Sequence, residues 1–279
     1  MIYSRLHGRL GNQMFQYAAG AALAHRVGVP LALDWRRADA KGEGRLTDIF
    51  DLPVAKPERM PPGQDARPLA YAAWRLLGRR PKFRREKGLG YNPAFETWRD
   101  ESYLHGYWQS QRYFENIRVH LHKVFTVVPP MSSANAEMAA RIASIPSVAL
   151  HVRRGDYVAL GATAACDQAY YDRALAAVTN GLDQPPTVFV FSDDPTWARD
   201  NLEVPFEKVI VDLNGPDTAY EDMRLMSLCQ HNIIANSTFS WWSAWLNTTP
   251  GKRVVAPTRW VLNADQHNPD ILPEDWIAV

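Results

Sequence analysis

The sequence contains little cysteine and no long apolar run. Cys166 and Cys229 are its two cysteines, and they are far apart without Cys-x-x-Cys spacing. Neither a disulfide framework nor a cysteine-rich zinc site is therefore expected, and a reducing compartment is favoured. No apolar stretch approaches the ~20 residues that cross a bilayer, and the polar N-terminus does not resemble a signal peptide. We expect a cytoplasmic protein.

The charges are nearly balanced. Lys and Arg total 31 and Asp and Glu total 30, so the formal net charge is +1. A protein that binds nucleic acid mainly by neutralising phosphates carries a clear basic excess, so no nucleic-acid partner is expected. Any anion must instead be bound by a local cluster of basic residues.

The pattern of apolar segments predicts an α/β protein. The chain has 279 residues, a length that suits two domains. Val127–Pro130 is the best candidate linker, which gives predicted domains at 1–130 and 131–279. The second half alternates predicted strands and helices, a rhythm typical of a doubly wound parallel sheet. Its predicted strands cover 148–152, 187–191, 208–211, 232–235 and 253–256.

The most informative stretch is the apolar strand Val148–Val152, which is followed at once by Arg153, Arg154, Gly155 and Asp156. In an open α/β sheet the carboxyl ends of the strands border the ligand crevice. Guanidinium groups match phosphate oxygens, so a phosphorylated substrate is indicated. The alternative is a surface turn in which Arg154 pairs with Asp156.

Two other predicted strands also end in polar residues. Asp193 could accept hydrogen bonds from a guanine edge or a ribose hydroxyl, and the alternative is a helix N-cap. Ser237 and Thr238 begin a helix whose free N–H groups could hold a pyrophosphate. Core packing is the alternative for the aromatic residues of that helix, Phe239, Trp241, Trp242 and Trp245, and for the three tryptophans we favour it.

Three segments of the first half are candidates for binding. The glycine-bounded turn at 8–13 brings backbone N–H groups and Asn12 toward a ligand, or simply starts a helix predicted to run to Val27. Tyr107, Trp108 and Gln109 offer rings and an amide suited to a sugar, or pack in the core. The stretch 79–87, with six basic residues and one acidic residue, rests on an anionic membrane, binds a charged acceptor or is a solvated surface.

The ordered set of motifs resembles the bacterial α-1,2-fucosyltransferases of glycosyltransferase family 11. The motifs are Gly8–Tyr17, Gly106–Ser110, His151–Tyr157, Phe191–Asp194, Asp222–Ser227, Asn236–Trp242 and Pro273–Ile277. The resemblance implies a GT-B-like fold of two facing Rossmann-type domains, with GDP-β-L-fucose held mainly by the C-terminal one. It also implies inverting transfer of fucose to the 2-hydroxyl of a terminal galactose in oligosaccharide or O-antigen synthesis. Unlike the animal members of the family, this chain is expected to have no N-terminal membrane anchor.

The resemblance also implies roles for individual residues. Arg153 would hold the β-phosphate, and His151 and Asp193 the guanosine. The full expected donor site is His151, Arg153, Arg154, Asp193, Asn236, Ser237, Thr238 and Phe239, with Gly11 and Asn12 from the first half. The acceptor would meet Tyr107, Trp108 and Gln109.

The chemistry expected of this site needs no cofactor. Loss of the sugar places negative charge on GDP, which an arginine and a helix N-terminus can stabilise. Because no Asp-x-Asp occurs, we expect metal-independent transfer. Asp156 is the first candidate for the base, and the others are His7, Asp34, Glu221 and Asp222. The alternatives are a GDP-sugar transferase acting on another hydroxyl and a non-enzymatic carbohydrate-binding protein.

Overall fold

The computed structural model describes residues 1–63, 67–78, 80–154, 166–261 and 268–279. The chain divides into two compact units. Unit 1 comprises Met1–Val128 and Asn268–Ile271, and unit 2 comprises Pro129–His267 and Leu272–Val279. Within the described ranges, no helix is both long and apolar enough to cross a bilayer.

Unit 1 is built on a parallel sheet with strand order β2-β1-β4-β3. Its strands are β1 Ile2–Arg5, β2 Leu31–Asp34, β3 Lys82–Arg85 and β4 Ser102–His105. Its α-helices are α1 Leu10–Val27, α2 Arg36–Asp39, α3 Pro68–Leu76 and α4 Arg118–Val124. Short 3₁₀ helices cover Leu46–Asp48, Pro93–Thr97, Gln111–Tyr113 and Glu115–Ile117.

Two of the predicted unit 1 elements are confirmed and one is wrong. Strand β2 has the predicted bounds, and α1 ends at Val27 before Gly28, which has a φ of 67°. The single helix expected from Ser110 to Val124 is instead two 3₁₀ turns followed by α4. Phe114, which lies between the two 3₁₀ turns, has a φ of −142° and a ψ of 10°, so the backbone leaves the helical conformation there.

The segment Asn268–Ile271 belongs to unit 1, although it lies near the C-terminus. The Asp270 carboxylate accepts a hydrogen bond from the Tyr91 backbone N–H at 2.7 Å and is 2.9 Å from Arg112 Nη1. These contacts explain why this short segment groups with residues far away in the sequence.

Unit 2 is a parallel sheet with strand order β10-β9-β8-β5-β6-β7. Its strands are β5 Ser147–Val152, β6 Thr187–Ser192, β7 Lys208–Val211, β8 His231–Ile233, β9 Val254–Ala256 and β10 Ile277–Ala278. Its helices are α5 Ser133–Ser144, α6 Gln168–Thr179, α7 Pro195–Asn201, α8 Ala219–Leu228 and α9 Thr238–Leu246, with a 3₁₀ turn at Pro216–Thr218. The predicted strand and helix alternation of the second half is confirmed.

Strand β5 lies at the centre of unit 2, and all six of its residues are buried. Val148 and Leu150 pack on one side of the sheet, while Ala149 packs on the other. Burial on both faces explains why this strand is apolar apart from Ser147 and His151. The tryptophans of α9 are also buried, so their predicted role in core packing is confirmed.

The Gly106→Ala substitution should destabilise unit 1. A Cβ at Gly106 would lie 2.4 Å from the Cβ of Glu86, so the chain must shift, at a cost of about 1–3 kcal/mol. Gly215→Ala is the matched control, since no heavy atom lies within 4 Å of its added Cβ. Urea unfolding should separate the two variants. Equal stabilities would contradict the tight packing at Gly106.

Candidate functional site

The polar ends of three neighbouring strands of unit 2 lie side by side. Strands β5 and β6 are parallel, with Val152 paired to Ser192, so Arg153 and Asp193 follow at the same edge. Strand β8 pairs with the other side of β5 and leads to Asn236 and Ser237. The sheet therefore brings together residues that are up to about 80 positions apart in sequence.

Arg153 contacts the start of helix α9. Its Nη1 donates a hydrogen bond to Ser237 Oγ at 3.2 Å, and Ser237 is 2% exposed. Ser237 is the N-cap residue of α9, but its side chain does not cap the described helix. A guanidinium group thus lies beside the positively polarised end of a helix, an arrangement suited to a phosphate group.

Arg154 is fixed by three neighbours. Its backbone N–H donates to Asp193 Oδ1 at 2.8 Å, and its guanidinium carbon lies 3.8 Å from the ring centroid of Trp197. Its Nε is 3.4 Å from the Asp194 carboxylate. Asp194 also caps α7 by accepting a hydrogen bond from the Trp197 N–H at 3.0 Å, so the N-cap of this helix is Asp194 and not Asp193.

Trp197 was not among the predicted site residues. The signal that could have found it is an aromatic residue in the first turn of the helix that follows Asp193 and Asp194. The alternative pairing of Arg154 with Asp156 has no structural test, because Gly155 and Asp156 lie outside the described residues.

His151 is the last titratable group on β5. Its ring centroid lies 5.8 Å from that of Phe239, and its backbone carbonyl accepts a hydrogen bond from the Tyr171 hydroxyl at 3.1 Å. Burial lowers the pKa of His151 to about 4, and the charge of Arg153 acts in the same direction, against that of Asp193. Nδ1 has no hydrogen-bond partner among the described residues. The imidazole is therefore neutral at pH 7.

Asn236 and Thr238 complete the predicted donor residues of unit 2. The Asn236 side-chain amide donates to the backbone carbonyl of Trp260 at 3.2 Å, and the residue is buried. Its contact anchors the chain after β9. Thr238 and Phe239 are half-buried at the first positions of α9.

The glycine turn of unit 1 is held by two glutamines of α1. Gly8 has a φ of 82°, and its carbonyl accepts a hydrogen bond from Gln13 Nε2 at 2.9 Å. Gln16 both accepts from the His7 N–H at 2.9 Å and donates to the His7 carbonyl at 3.1 Å. The turn is therefore fixed before any ligand binds.

Asn12 and Gln109 are brought together at this turn, where Asn12 Oδ1 accepts a hydrogen bond from Gln109 Nε2 at 3.0 Å. Gly11 is buried inside α1. The predicted donor residues thus form one group in unit 2 and another, Gly11 and Asn12, in unit 1.

Tyr107 and Trp108 have different environments. Tyr107 is 37% exposed, and its ring centroid lies 4.6 Å from that of His7. Trp108 is fully buried, with ring centroids 5.8 Å from Trp98 and 5.4 Å from Tyr113. This corrects the expectation that Trp108 contacts an acceptor: the aromatic core of unit 1 encloses its indole ring.

Glu86 is a residue that the motif analysis missed. Its two carboxylate oxygens accept hydrogen bonds from the backbone N–H groups of Tyr107 at 2.6 Å and Trp108 at 2.8 Å. Burial raises the pKa of Glu86 to about 7, although these two bonds oppose the shift. The only sequence signal was a single acid in the basic stretch 79–87.

The family model described as "Glycosyl transferase family 11" matches residues 96–279. The chain belongs to glycosyl transferase family 11. It is 31% identical to the Alpha-1,2-colitosyltransferase of Escherichia coli, over all of this chain and 99% of that protein. It is 27% identical to Galactoside alpha-(1,2)-fucosyltransferase 2 of Oryctolagus cuniculus, over 86% of this chain and 65% of that protein.

The fold of this family 11 glycosyltransferase also matches a solved structure, that of a mutant of Arabidopsis thaliana FUT1 in complex with GDP. The TM-score is 0.52 and the identity 14%, and the match covers 91% of this chain and 69% of that one. The predicted fold class is confirmed: an α/β, GT-B-like fold of Rossmann-type halves, with a parallel sheet in the C-terminal half.

Asp34, one of the alternative bases of this family 11 protein, is held in a structural ion pair. Its carboxylate accepts hydrogen bonds from Arg36 at 2.8 and 2.6 Å and from the Tyr103 hydroxyl at 2.7 Å. Burial alone would raise the pKa of Asp34, but these hydrogen bonds outweigh it and the pKa is lowered. Asp34 is therefore poorly suited to accept a proton.

The other candidate bases among the described residues, His7, Asp222 and Glu221, differ in pKa. Burial lowers the pKa of His7 to about 4 and raises that of Asp222 to about 6, with a hydrogen bond from Asn214 at 2.7 Å opposing the latter shift. Burial also raises the pKa of Glu221, which is 3.5 Å from Arg224.

Across the described ranges, no three His, Cys, Asp or Glu side chains are grouped as a metal site.

The lowered pKa of His151 predicts how the free energy of unfolding depends on pH. Between pH 6.5 and about 4 the unfolded chain protonates His151 while the folded chain does not, so the free energy of unfolding falls as the pH drops through this range. In His151→Gln, the free energy of unfolding should decrease by roughly 3 kcal/mol less over this pH range than in the wild type. Urea unfolding of both proteins, followed by tryptophan fluorescence at several pH values, measures the difference. Parallel pH profiles for the two proteins would refute the shift.

Proposed function

We propose that the chain is a galactoside α-1,2-fucosyltransferase. It transfers L-fucose from GDP-β-L-fucose to the 2-hydroxyl of a terminal β-galactose, with inversion and without a metal ion. The observation that carries the donor assignment is the hydrogen bond from Arg153 to Ser237 at the N-terminus of α9.

The diphosphate of GDP would be held at this contact. In the reaction the bond between the sugar C1 and the phosphate oxygen breaks, and its electron pair remains on GDP. Arg153 and the N–H groups at the start of α9 would stabilise that developing charge because they are already oriented toward it. This positive charge from the protein is the support for transfer without a metal ion.

The guanosine would be held by the neighbouring strand end. Asp193 is fixed there by the Arg154 backbone N–H, and its carboxylate is suited to the N–H donors of a guanine edge. His151 is neutral, and its Nδ1 has no hydrogen-bond partner among the described residues, so this atom can bind a ligand. Both groups therefore favour a purine nucleotide over a bare phosphate.

The acceptor would be bound through Tyr107 and Gln109 of unit 1. The exposed Tyr107 ring offers an apolar face, while Gln109 offers a hydrogen-bonding amide held by Asn12. The acceptor oxygen bonds to the sugar C1 and gives its proton to a base, for which Asp156 remains our proposal. A family relative that is 36% identical over 47% of this chain is the "O-antigen biosynthesis glycosyltransferase WbnK" of Escherichia coli, which supports an O-antigen acceptor.

GDP-colitose is the second candidate donor. The Escherichia coli relative named as a colitosyltransferase aligns with the whole of this chain. Colitose is L-fucose without its 3-hydroxyl. A site that hydrogen-bonds a hydroxyl rejects the analogue lacking it by about 10⁴-fold, so the two donors are readily distinguished.

A donor and acceptor screen tests the proposed function. The purified chain is given GDP-fucose or GDP-colitose with galactose-terminated oligosaccharides, in buffer with and without EDTA, and the product linkage is determined by NMR. We expect an α-linked fucose on the galactose 2-hydroxyl and equal rates with EDTA. Preference for GDP-colitose, another linkage, or a reversible loss of turnover with EDTA would each overturn the corresponding part of the proposal.

Arg153→Ala should lower the rate of transfer at least ~10²-fold, because the leaving diphosphate loses its main positive side chain. The matched control is Arg141→Ala on the exposed surface of α5, where the arginine pairs with Glu207 at 2.9 Å. This control should transfer at the wild-type rate. Near-normal transfer by Arg153→Ala, with saturating donor, would defeat the role proposed for Arg153.

A further inference from the structure

Helix α3 of unit 1 is apolar on both sides. Tyr71 and Trp74 face inward, where the ring centroid of Trp74 lies 5.0 Å from that of Tyr103 and 5.3 Å from that of Phe83. The opposite side carries Leu69 and Leu76. The helix is therefore anchored to the sheet by aromatic packing while leucines point away from it.

The outward leucines are strongly exposed. At 100° per residue, Leu69, Ala72, Ala73 and Leu76 share the face opposite Trp74 and its neighbours. Leu69 and Leu76 are each 86% exposed, and Leu77 just beyond the helix is 63% exposed. A helix that is apolar all round is normally buried, and a contiguous exposed apolar patch marks an interaction site.

Basic residues occur on α3 itself and on the neighbouring strand β3. Arg75 lies with its guanidinium carbon 4.8 Å from the ring centroid of Phe83, which ties α3 to strand β3. Phe83 and Arg85 alternate with Lys82 and Arg84 along β3, so Arg85 lies on the side of the sheet that α3 covers. The described basic residues of α3, β3 and their flanks are Arg67, Arg75, Arg80, Lys82, Arg84, Arg85 and Lys87.

Negative charge is nearly absent from the same stretch. Its one acid, Glu86, uses both carboxylate oxygens to hold the Tyr107 and Trp108 N–H groups. Arg80 is paired with Glu101 at 2.8 Å, while Arg75 and Arg85 are exposed. Exposed leucines bordered by exposed cations are the two features that an anionic lipid surface complements.

We propose that α3 and β3, named here the α3–β3 surface, dock unit 1 on an anionic phospholipid bilayer. The leucines would enter the boundary between headgroups and acyl chains, and the basic residues would lie among the lipid phosphates. A second copy of the chain is a poorer occupant, because a two-fold interface through the same surface would bring the same cations together. The inference does not depend on which sugar the enzyme transfers.

Vesicle flotation tests the α3–β3 surface. The full chain is mixed with vesicles of phosphatidylcholine alone or of phosphatidylcholine with phosphatidylglycerol, and the bound fraction is measured. We expect binding to the anionic vesicles only, weakened by about 0.5 M NaCl because salt screens the lipid charge. Equal binding to neutral vesicles, or no binding to either kind, would overturn the proposal.

Variants assign the binding to the proposed residues. Leu69→Ser with Leu76→Ser, and separately Arg85→Glu, should each lower vesicle binding at least about tenfold. The matched controls are on α4 of the same unit: Val119→Ser, which changes a residue that is also 86% exposed, and Lys123→Glu. Both controls should bind like the wild type. Unchanged binding by the leucine pair or by Arg85→Glu would refute the assignment.

Two parallel measurements keep the outcomes distinct. Sedimentation velocity of the same variants detects a dimer; a dimer that the leucine substitutions abolish, in a protein that does not bind vesicles, would assign the surface to a second copy instead. Transfer to a water-soluble galactoside is measured on every variant and should be unchanged. Failure of vesicle binding with normal transfer would thus refute only the lipid proposal, and the reverse result only the proposed function.

Discussion

The structure depends on the pairing of strand β5 between β6 and β8. This pairing is parallel and fully buried, so all three strands deliver their following residues to one edge of the sheet. Arg153 reaches Ser237 only because β8 leads into α9 beside it. The proposed anion site would therefore arise from sheet topology, without an excess of positive charge over the whole chain.

Burial sets the protonation of both units. The His151 ring is buried near Phe239, so it stays neutral and can offer a ring nitrogen rather than a charge. In unit 1, burial raises the pKa of Glu86 to about 7, so its carboxyl group is close to half-protonated at neutral pH. In each case removal from water disfavours the charged form.

Pattern alone predicted unit 2 better than unit 1. The central strands β5 and β6 of unit 2 are mostly apolar and almost completely buried, and such runs are easily recognised, so only a terminal residue of each strand differs from its predicted bounds. Strand β3 was missed because three of its four residues, Lys82, Arg84 and Arg85, are basic. An edge strand can carry charged side chains toward solvent, so its sequence lacks the apolar pattern that identifies a buried strand.

The sequence by itself determined the α/β class, the family resemblance and the residues at the ends of β5, β6 and β8. These features depend on consecutive residues, so a local pattern reveals them. Only the tertiary structure decided that Trp108 is enclosed while Tyr107 is exposed, that Arg154 lies over Trp197, and that Glu86 holds the chain after β4. Those outcomes rest on contacts between residues distant in sequence. No local pattern encodes which partner a side chain will meet once the strands have paired.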